Sequence, residues 1–205
     1  MGVPKRFAVE YPDRCLQLVA AAEPFAIENK LTGSFALLVA AAVLTMPFER
    51  MRATHFLFQP EDADLSAALK SLTKAPFLQA PFWSANPTDW RQSRIMEGID
   101  HTGGWKDANG RHPADPESEN SIAQYCASEV LRVIRNALSH GNIVYLNKNG
   151  YEVPGDQMES IAFLSRYEED PNAKEFTYRV VIAPEMQFLI FVKDWAKWIS
   201  SFAKD

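Results

Sequence analysis

Apolar residues along most of the chain recur with the spacing of an α-helix, and the spacing changes toward strict alternation only after residue 141. The helical pattern predicts helices over residues 12–31, 34–49, 60–73, 121–141 and 184–203. Prolines, acidic residues or a serine near the predicted starts and the glycine at 141 support these limits, because they are ordinary start and stop signals of helices. The sequence therefore predicts a mainly helical protein.

The segment 121–141 has the most distinct two-sided pattern. At about 100° per residue, its apolar side chains fall in one arc that we expect to face the core. They are Ile122, Cys126, Val130, Leu131, Val133, Ile134, Ala137 and Leu138. The opposite arc, here named the polar ridge, consists of Ser128, Glu129, Arg132, Arg135, Asn136, Ser139 and His140. Arg135 and His140 lie about 140° apart on this helix, so they flank the ridge and do not touch each other.

Residues 143–183 predict a small antiparallel sheet of three or four strands. A hairpin is expected around a turn at 147–150, and two further strands are expected on either side of an acidic loop at 168–172. The predicted strands are 143–146, 151–153, 161–167 and 176–182.

Residues 75–120 are rich in proline, glycine, asparagine and aspartate and predict a long irregular connection. Within it, residues 88–98 are compatible with a helix. We expect a single domain over residues 1–205, a helical bundle with a β insertion at 143–183 before the last helix, α+β overall.

Composition narrows the class of protein. With 205 residues and 47% hydrophobic content, the chain can bury a sizeable core. A formal net charge of −5 argues against a broad basic surface for nucleic acid or membrane, so any contact with RNA must be local. Cys15 and Cys126 lie in apolar helical patterns, which favours two core thiols in a reducing cytoplasm over a disulfide.

The most apolar run, residues 35–48, is shorter than the roughly 20 residues that span a bilayer. It predicts a buried core helix, and we expect no membrane partner. Prolines and acidic residues interrupt the first stretch of the chain before it could act as a signal peptide. These features together predict a cytoplasmic protein.

The sequence from Arg135 to Gly141 resembles the signature of the HEPN superfamily (higher eukaryotes and prokaryotes nucleotide-binding domains). That signature is an arginine, four to six residues and a histidine, often with asparagine directly after the arginine, and Arg135, Asn136 and His140 match it. The resemblance covers about residues 10–142 and the last helix, and it leaves the predicted sheet unexplained. It implies a helical bundle that dimerises through the motif helices, here residues 121–141.

The same resemblance implies a metal-independent endoribonuclease without a cofactor, of the kind found in toxin–antitoxin or phage-defence systems. RNA would be the substrate, and an antitoxin or other regulatory protein would be a further partner. His140 would be the acid and base, Arg135 would hold the scissile phosphate, and Asn136 would orient the phosphate, the ribose or the imidazole. Arg132 and Ser139 are candidates for further contacts with the substrate. Because Arg135 and His140 are splayed, a two-fold dimer would bring two of each to one cleft.

Other interpretations of the ridge remain open. A non-catalytic HEPN-like module could bind RNA, a nucleotide or a protein through the same face. His140 is also placed to cap the end of a helix, because its cation suits the negative end of the helix dipole. Glu129 and Arg132 are spaced for an ion pair on the helix surface.

Three weaker patterns lie outside the ridge. His101, Asp107, His112 and Asp115 could form the metal site of an unrelated enzyme, although their spacing matches no tight ligand pattern. The tryptophans at 83, 90 and 105 could stack on bases, but a core role is favoured. Glu49, Arg50 and Arg52 could form an ion pair or a second phosphate contact.

Overall fold

The structure, a computed structural model, describes residues 6–50, 63–167 and 177–203. These ranges form five α-helices and four β-strands, which confirms the predicted fold class. The helices are α1 (Phe7–Glu28), α2 (Thr32–Arg50), α3 (Ala63–Ser71), α4 (Ala127–His140) and α5 (Glu185–Ser201). The strands are β1 (Arg91–Ile95), β2 (Ile143–Leu146), β3 (Ser160–Tyr167) and β4 (Thr177–Pro184).

Helices α1, α2 and α5 pack against one another as a helical layer. Ala36 and Ala40 of α2 are fully buried, and their small side chains let the neighbouring helices approach closely. The large side chains come from α5, where the indole N–H of Trp195 donates a 2.9 Å hydrogen bond to the carbonyl of Val43. These contacts fix α5 across the middle of α2.

Helix α2 is long and apolar enough to cross a membrane when length and composition alone are considered. In the structure 39% of this apolar window is buried, and core helices pass the same test. Its neighbours are α1, α5 and α4, but Leu38 and Met46 are exposed, so the predicted burial applies to one side of the helix.

The four strands form one antiparallel sheet in the order β1-β4-β3-β2. One face packs against the helices through Ile161, Phe163, Val181 and Ala183. The opposite face belongs to a second hydrophobic cluster, in which irregular segments around Trp105 cover it. The inner strands β3 and β4 are therefore buried on both faces, whereas Tyr145 on the edge strand β2 is exposed.

Helix α4 lies between α2 and the β3–β4 part of the sheet. Its predicted apolar arc is buried at Val130, Leu131, Ile134 and Ala137, and it ends at Gly141 in the left-handed conformation, with φ +70°. The glycine therefore has the predicted role of stopping the helix.

The predicted start of this helix at residue 121 is wrong. Residues 122–124 form a short 3-10 helix, and Cys126 is extended. The reason is that backbone groups of this segment bond to a distant part of the chain: the N–H groups of Ala127 and Ser128 donate to the carbonyls of Ala75 and Leu72. These bonds satisfy the first free donors of α4 from outside the helix.

Residues 88–98 do not form a helix. They contain β1, which pairs with β4 from Arg91 opposite Ile182 to Ile95 opposite Tyr178. This pairing joins the middle of the long 75–120 connection to the sheet. The sheet is consequently not confined to the predicted 143–183 insertion.

The predicted hairpin with a strand at 151–153 is also wrong. β2 pairs with β3, with Ile143 opposite Phe163 and Leu146 opposite Ser160, and 151–153 belong to an irregular loop. The turn at 147–150 is present, because the Asn147 side chain accepts hydrogen bonds from the N–H groups of Asn149 and Tyr151. The turn therefore formed as predicted, but the residues on its two sides do not pair with each other as strands.

The remaining limits differ by a few residues from the predictions. α1 begins before Pro12 and contains both Pro12 and Pro24, α2 begins two residues earlier than residue 34, and α5 ends at Ser201. Residues 60–62, the loop 168–172 and Phe176, which the predictions included, lie outside the described residues.

Candidate functional site

The polar ridge runs along the outer side of α4, and its predicted site residues lie toward the end that leads into β2. Arg132, Asn136, Ser139 and His140 are exposed, whereas Arg135 is only partly exposed. The helix thus presents four of the five predicted site residues to solvent and directs the fifth toward α2.

Arg135 is held against the end of α2. Its guanidinium forms a 2.9 Å ion pair with the Glu49 carboxylate and lies 4.2 Å from the centroid of the Phe48 ring. Phe48 in turn stacks on Trp195 of α5, with ring centroids 5.4 Å apart. The Arg135 side chain retains 21% exposure, so it is mostly enclosed by these contacts.

Asn136 is anchored on the other side of α4. Its side-chain Nδ2 donates a 3.1 Å hydrogen bond to the hydroxyl of Ser165 on β3. Arg135 and Asn136 are neighbours in sequence, but one is held by the helical layer and the other by the sheet. This separation follows from the turn of about 100° between successive helical residues.

His140 is the last residue of α4 and is exposed. Nothing in the described part of the chain forms a hydrogen bond with its ring. The end of the helix is capped by backbone groups instead, because the N–H groups of Gly141 and Asn142 both point to the Ala137 carbonyl. The role of a cap is therefore already filled, and the imidazole is available for other chemistry.

The remaining ridge residues do not form the predicted ion pair. Glu129 accepts a 3.2 Å hydrogen bond from the thiol of Cys126, and within the described ranges it makes no ion pair with Arg132. Cys126 is half-buried and Cys15 is buried, and both are free thiols. Arg132 and Ser139 therefore stay available at the surface.

The loop residues considered as metal ligands support the backbone instead. Asp107 accepts three hydrogen bonds, from the N–H groups of Asn109, Arg111 and Glu119, at 2.8 to 2.9 Å. Burial alone would raise the pKa of the Asp107 carboxyl, but these donors and the Arg111 cation lower it below its usual value overall. The Asp107 carboxylate is thus a structural anion.

His112 is half-buried between Trp105 and Tyr151. Its Nε2 lies 2.9 Å from the carbonyl of Thr102, and its Nδ1 accepts from the N–H of Ala114 at 3.2 Å. Burial lowers the pKa of His112, while the Thr102 bond and the charge of Asp115 act in the opposite direction. Both ring nitrogens are in use, so His112 is a poor metal ligand.

No group of three or more His, Cys, Asp and Glu residues is arranged to bind a metal ion within residues 6–50, 63–167 and 177–203. The proposed ligands at 101, 107, 112 and 115 therefore do not form such a group.

The tryptophans have the favoured core role. Trp83 and Trp90 pack edge to face with ring centroids 5.7 Å apart, and both contact Phe77 and Phe191. Trp105 is buried in the second cluster, on the far face of the sheet. Their rings are occupied by protein contacts, so they do not form a platform for bases.

Sequence reasoning missed two side chains at the site. Ser165 had no local signal, because a serine inside a strand does not indicate which helix will cross it. The sequence singled out Glu49, but with Arg50 and Arg52 as partners rather than Arg135; the side chain of Arg50 and all of Arg52 lie outside the described residues.

The full chain, residues 1–205, matches a family model described as HEPN pEK499 p136. Neither a search of curated proteins nor a search of solved structures found a match. Because the match extends over the whole chain, the protein belongs to the HEPN family described as pEK499 p136.

Proposed function

We propose that the protein is a metal-independent endoribonuclease that cleaves RNA with Arg135, Asn136 and His140. The observation that carries the proposal is the exposed imidazole of His140, which has no hydrogen bond with the described residues and lies on the same helix as an arginine and an asparagine whose positions are fixed. Family membership supports a module of the nuclease or RNA-binding type.

The reaction needs no group beyond these side chains and the RNA itself. The 2′-oxygen attacks the phosphorus while an imidazole takes its proton, and the bond to the 5′-oxygen breaks as that oxygen receives a proton. The products carry a 2′,3′-cyclic phosphate and a 5′-hydroxyl. Histidine can accept and donate protons near neutral pH, and the Arg135 fork would stabilise the charge that develops on the phosphate oxygens.

The site is proposed to be shared between two copies of the chain. Arg135 is held toward α2 and His140 lies at the helix end, so a single α4 does not direct both groups to one phosphate. A two-fold contact between two ridges would place an imidazole of each copy in one cleft, one as the base and one as the acid. Arg132 and Ser139 would contact neighbouring parts of the RNA.

We extend the proposal to the biological setting of such enzymes. A ribonuclease of this kind would act in the cytoplasm, in a toxin–antitoxin or phage-defence system, with an antitoxin or other regulatory protein as partner. The net charge of −5 means that the contact with RNA must be local, since the overall field of the protein repels phosphates.

A second candidate is a non-catalytic module that binds RNA, a nucleotide or a protein through the same ridge. The anchored side chains favour it, because Glu49 and Ser165 already bond Arg135 and Asn136. In this case binding would depend on Arg132 and His140 without any change to the RNA.

One experiment separates the two. Purified protein is incubated with structured RNA in EDTA, next to His140→Ala and to His101→Ala, a matched exposed histidine outside the ridge. The ribonuclease proposal expects cyclic phosphate ends from the native protein and His101→Ala, and none from His140→Ala. Binding without cleavage supports the second candidate, and equal cleavage by all three proteins rejects His140 as the catalyst.

A further inference from the structure

We propose that Ser165 of β3 is a positioning residue of this site: it holds the Asn136 side chain so that the amide oxygen can accept a hydrogen bond from the imidazole of His140 when RNA is bound. Without RNA the His140 ring has no hydrogen bond with the described residues, so this bond belongs to the complex. The inference rests on the proposed function for its catalytic consequence, but the contact itself is independent of that function. It makes the sheet a working part of the site rather than a support for the core.

The first support is where Ser165 lies. β3 is an inner strand, and Ser165 is paired with Arg179 of β4 on one side. Only 8% of Ser165 is exposed, and its side of the sheet is the face that packs against the helices. A hydroxyl on such a strand has little freedom, so it is a firm reference point for the exposed Asn136 side chain.

The second support is that β3 also fixes the backbone beyond His140. The N–H of Leu164 donates a 3.0 Å hydrogen bond to the carbonyl of Asn142. Two consecutive residues of β3 therefore hold the two sides of His140, Asn136 before it and Asn142 after it. These two bonds, together with the pairing of β2 and β3, tie the helix end to the sheet.

The third support is the spacing along α4. Asn136 and His140 are four residues apart in the same helix, which places their Cβ atoms about 5–6 Å apart on one face. Ser165 accepts one N–H of Nδ2, and an imidazole N–H needs an acceptor, so the amide oxygen is the group of Asn136 that can bond to it. An imidazole N–H that donates to this oxygen would have its protonated nitrogen fixed, which leaves the other nitrogen free to accept the 2′-hydroxyl proton.

The test compares Ser165→Ala, Ser165→Thr and the native protein, with Ser160→Ala as a control from the same strand that has no contact with Asn136. The ring nitrogens of 15N-labelled histidine report which tautomer of His140 is populated in the protein bound to a 2′-O-methyl RNA, which has no free 2′-hydroxyl and cannot be cleaved. His140→Gln assigns the signals. Steady-state cleavage of RNA gives kcat and KM.

We expect Ser165→Ala to alter the tautomer ratio of His140 and to lower kcat roughly 10-fold with little change in KM, since a displaced catalytic group reacts more slowly although substrate still binds. Ser165→Thr keeps the hydroxyl and should restore both values, and Ser160→Ala should match the native protein. If Ser165→Ala does not fold, Asn136→Ala must produce the same change at His140.

The outcomes separate the two proposals. Unchanged His140 signals and unchanged kcat in folded Ser165→Ala overturn the positioning role while the ribonuclease proposal stands. Altered His140 signals in a protein that never cleaves RNA overturn the ribonuclease proposal while the Ser165 contact with the site stands. Loss of kcat in Ser165→Thr equal to that in Ser165→Ala also overturns the positioning role, because the hydroxyl would then be irrelevant.

Discussion

The end of α4 and the loop around residues 101–115 contain similar side chains but use them differently. In the loop, Asp107, Arg111 and His112 bond to backbone groups of the same region, as when Arg111 donates to the carbonyl of Glu117 at 2.6 Å. On α4, Arg135 and Asn136 are bonded to side chains of other elements, and the ring of His140 has no hydrogen bond with the described residues.

The difference comes from the backbone. An irregular loop has peptide groups that no secondary structure satisfies, so nearby polar side chains bond to them. A helix satisfies its own peptide groups, and Gly141 closes the end of α4, so its polar side chains are left for other partners. Chemically similar residues thus become structural in one region and available for catalysis in the other.

The largest expected effect comes from exchanging the two histidines for glutamine. His140→Gln should reduce RNA cleavage by about 100-fold or more, the range for loss of a general acid or base, and leave the melting temperature unchanged. His112→Gln should lower the melting temperature and leave RNA cleavage unchanged, because the ring nitrogens of His112 bond to the backbone of Thr102 and Ala114. Cleavage assays and thermal unfolding of both variants decide this. Loss of cleavage in folded His112→Gln would contradict the division between the regions.

The next effect concerns the anchored arginine. Arg135→Lys keeps the charge but loses the planar fork, and a lysine cannot contact Glu49 and a phosphate with separate edges. We expect cleavage to fall about 10-fold or more, and the free energy of unfolding to fall by no more than about 1 kcal/mol, because the ion pair is partly exposed. Glu49→Gln should reduce stability similarly and cleavage less. Native cleavage by Arg135→Lys would show that the fork is not needed.

A smaller effect is expected at Arg132, which is exposed on the ridge and has no hydrogen bond or ion pair through its side chain with the part of the chain that the structure describes. If it contacts a phosphate, Arg132→Ala should raise KM a few-fold without changing the melting temperature. The slope of log K against log salt concentration for RNA binding should decrease in magnitude by about 1, since about one ion fewer is released. Arg14→Ala, an exposed arginine on α1, is the matched control. Equal salt dependence in both variants would remove Arg132 from the substrate surface.

The sequence was sufficient where local periodicity decides the structure. The apolar arc of α4 is buried as predicted, and the stop at Gly141 follows from the residue itself. It failed at residues 88–98 and 151–153 because the choice between helix, strand and loop there depends on β4 and β3, which are distant in sequence. A pairing partner far along the chain leaves no trace in the local pattern.

The same limit applies to the site. Arg135, Asn136 and His140 could be predicted because one short motif contains them. Glu49 as the partner of Arg135 and Ser165 as the partner of Asn136 could not, since they are 86 and 29 residues away from them. What the structure adds is therefore the set of contacts that fix the motif, and these contacts decide which of its groups remains uncommitted.

The smallest expected effect is the acid sensitivity of the loop. Burial lowers the pKa of His112 below its ordinary value of about 6.5, so the unfolded chain binds this proton more readily than the folded chain. Stability from this group is therefore complete above about pH 6.5 and falls as the pH drops from there toward the lowered pKa.

The decrease should be smaller than about 1.4 kcal/mol per pH unit, the limit for one proton, because His112 is only half-buried. Glu185 has the opposite effect on the free energy of unfolding. Burial raises its pKa, so the folded state binds a proton more readily than the unfolded chain and gains stability as the pH falls. Urea unfolding of the native protein and of His112→Gln at pH 7.5 and 5.5 isolates the histidine, because Glu185 is common to both. The native protein should lose more stability than the variant, because protonation of Nδ1 would break the hydrogen bond that it accepts from Ala114. Equal losses in the two proteins would contradict this prediction.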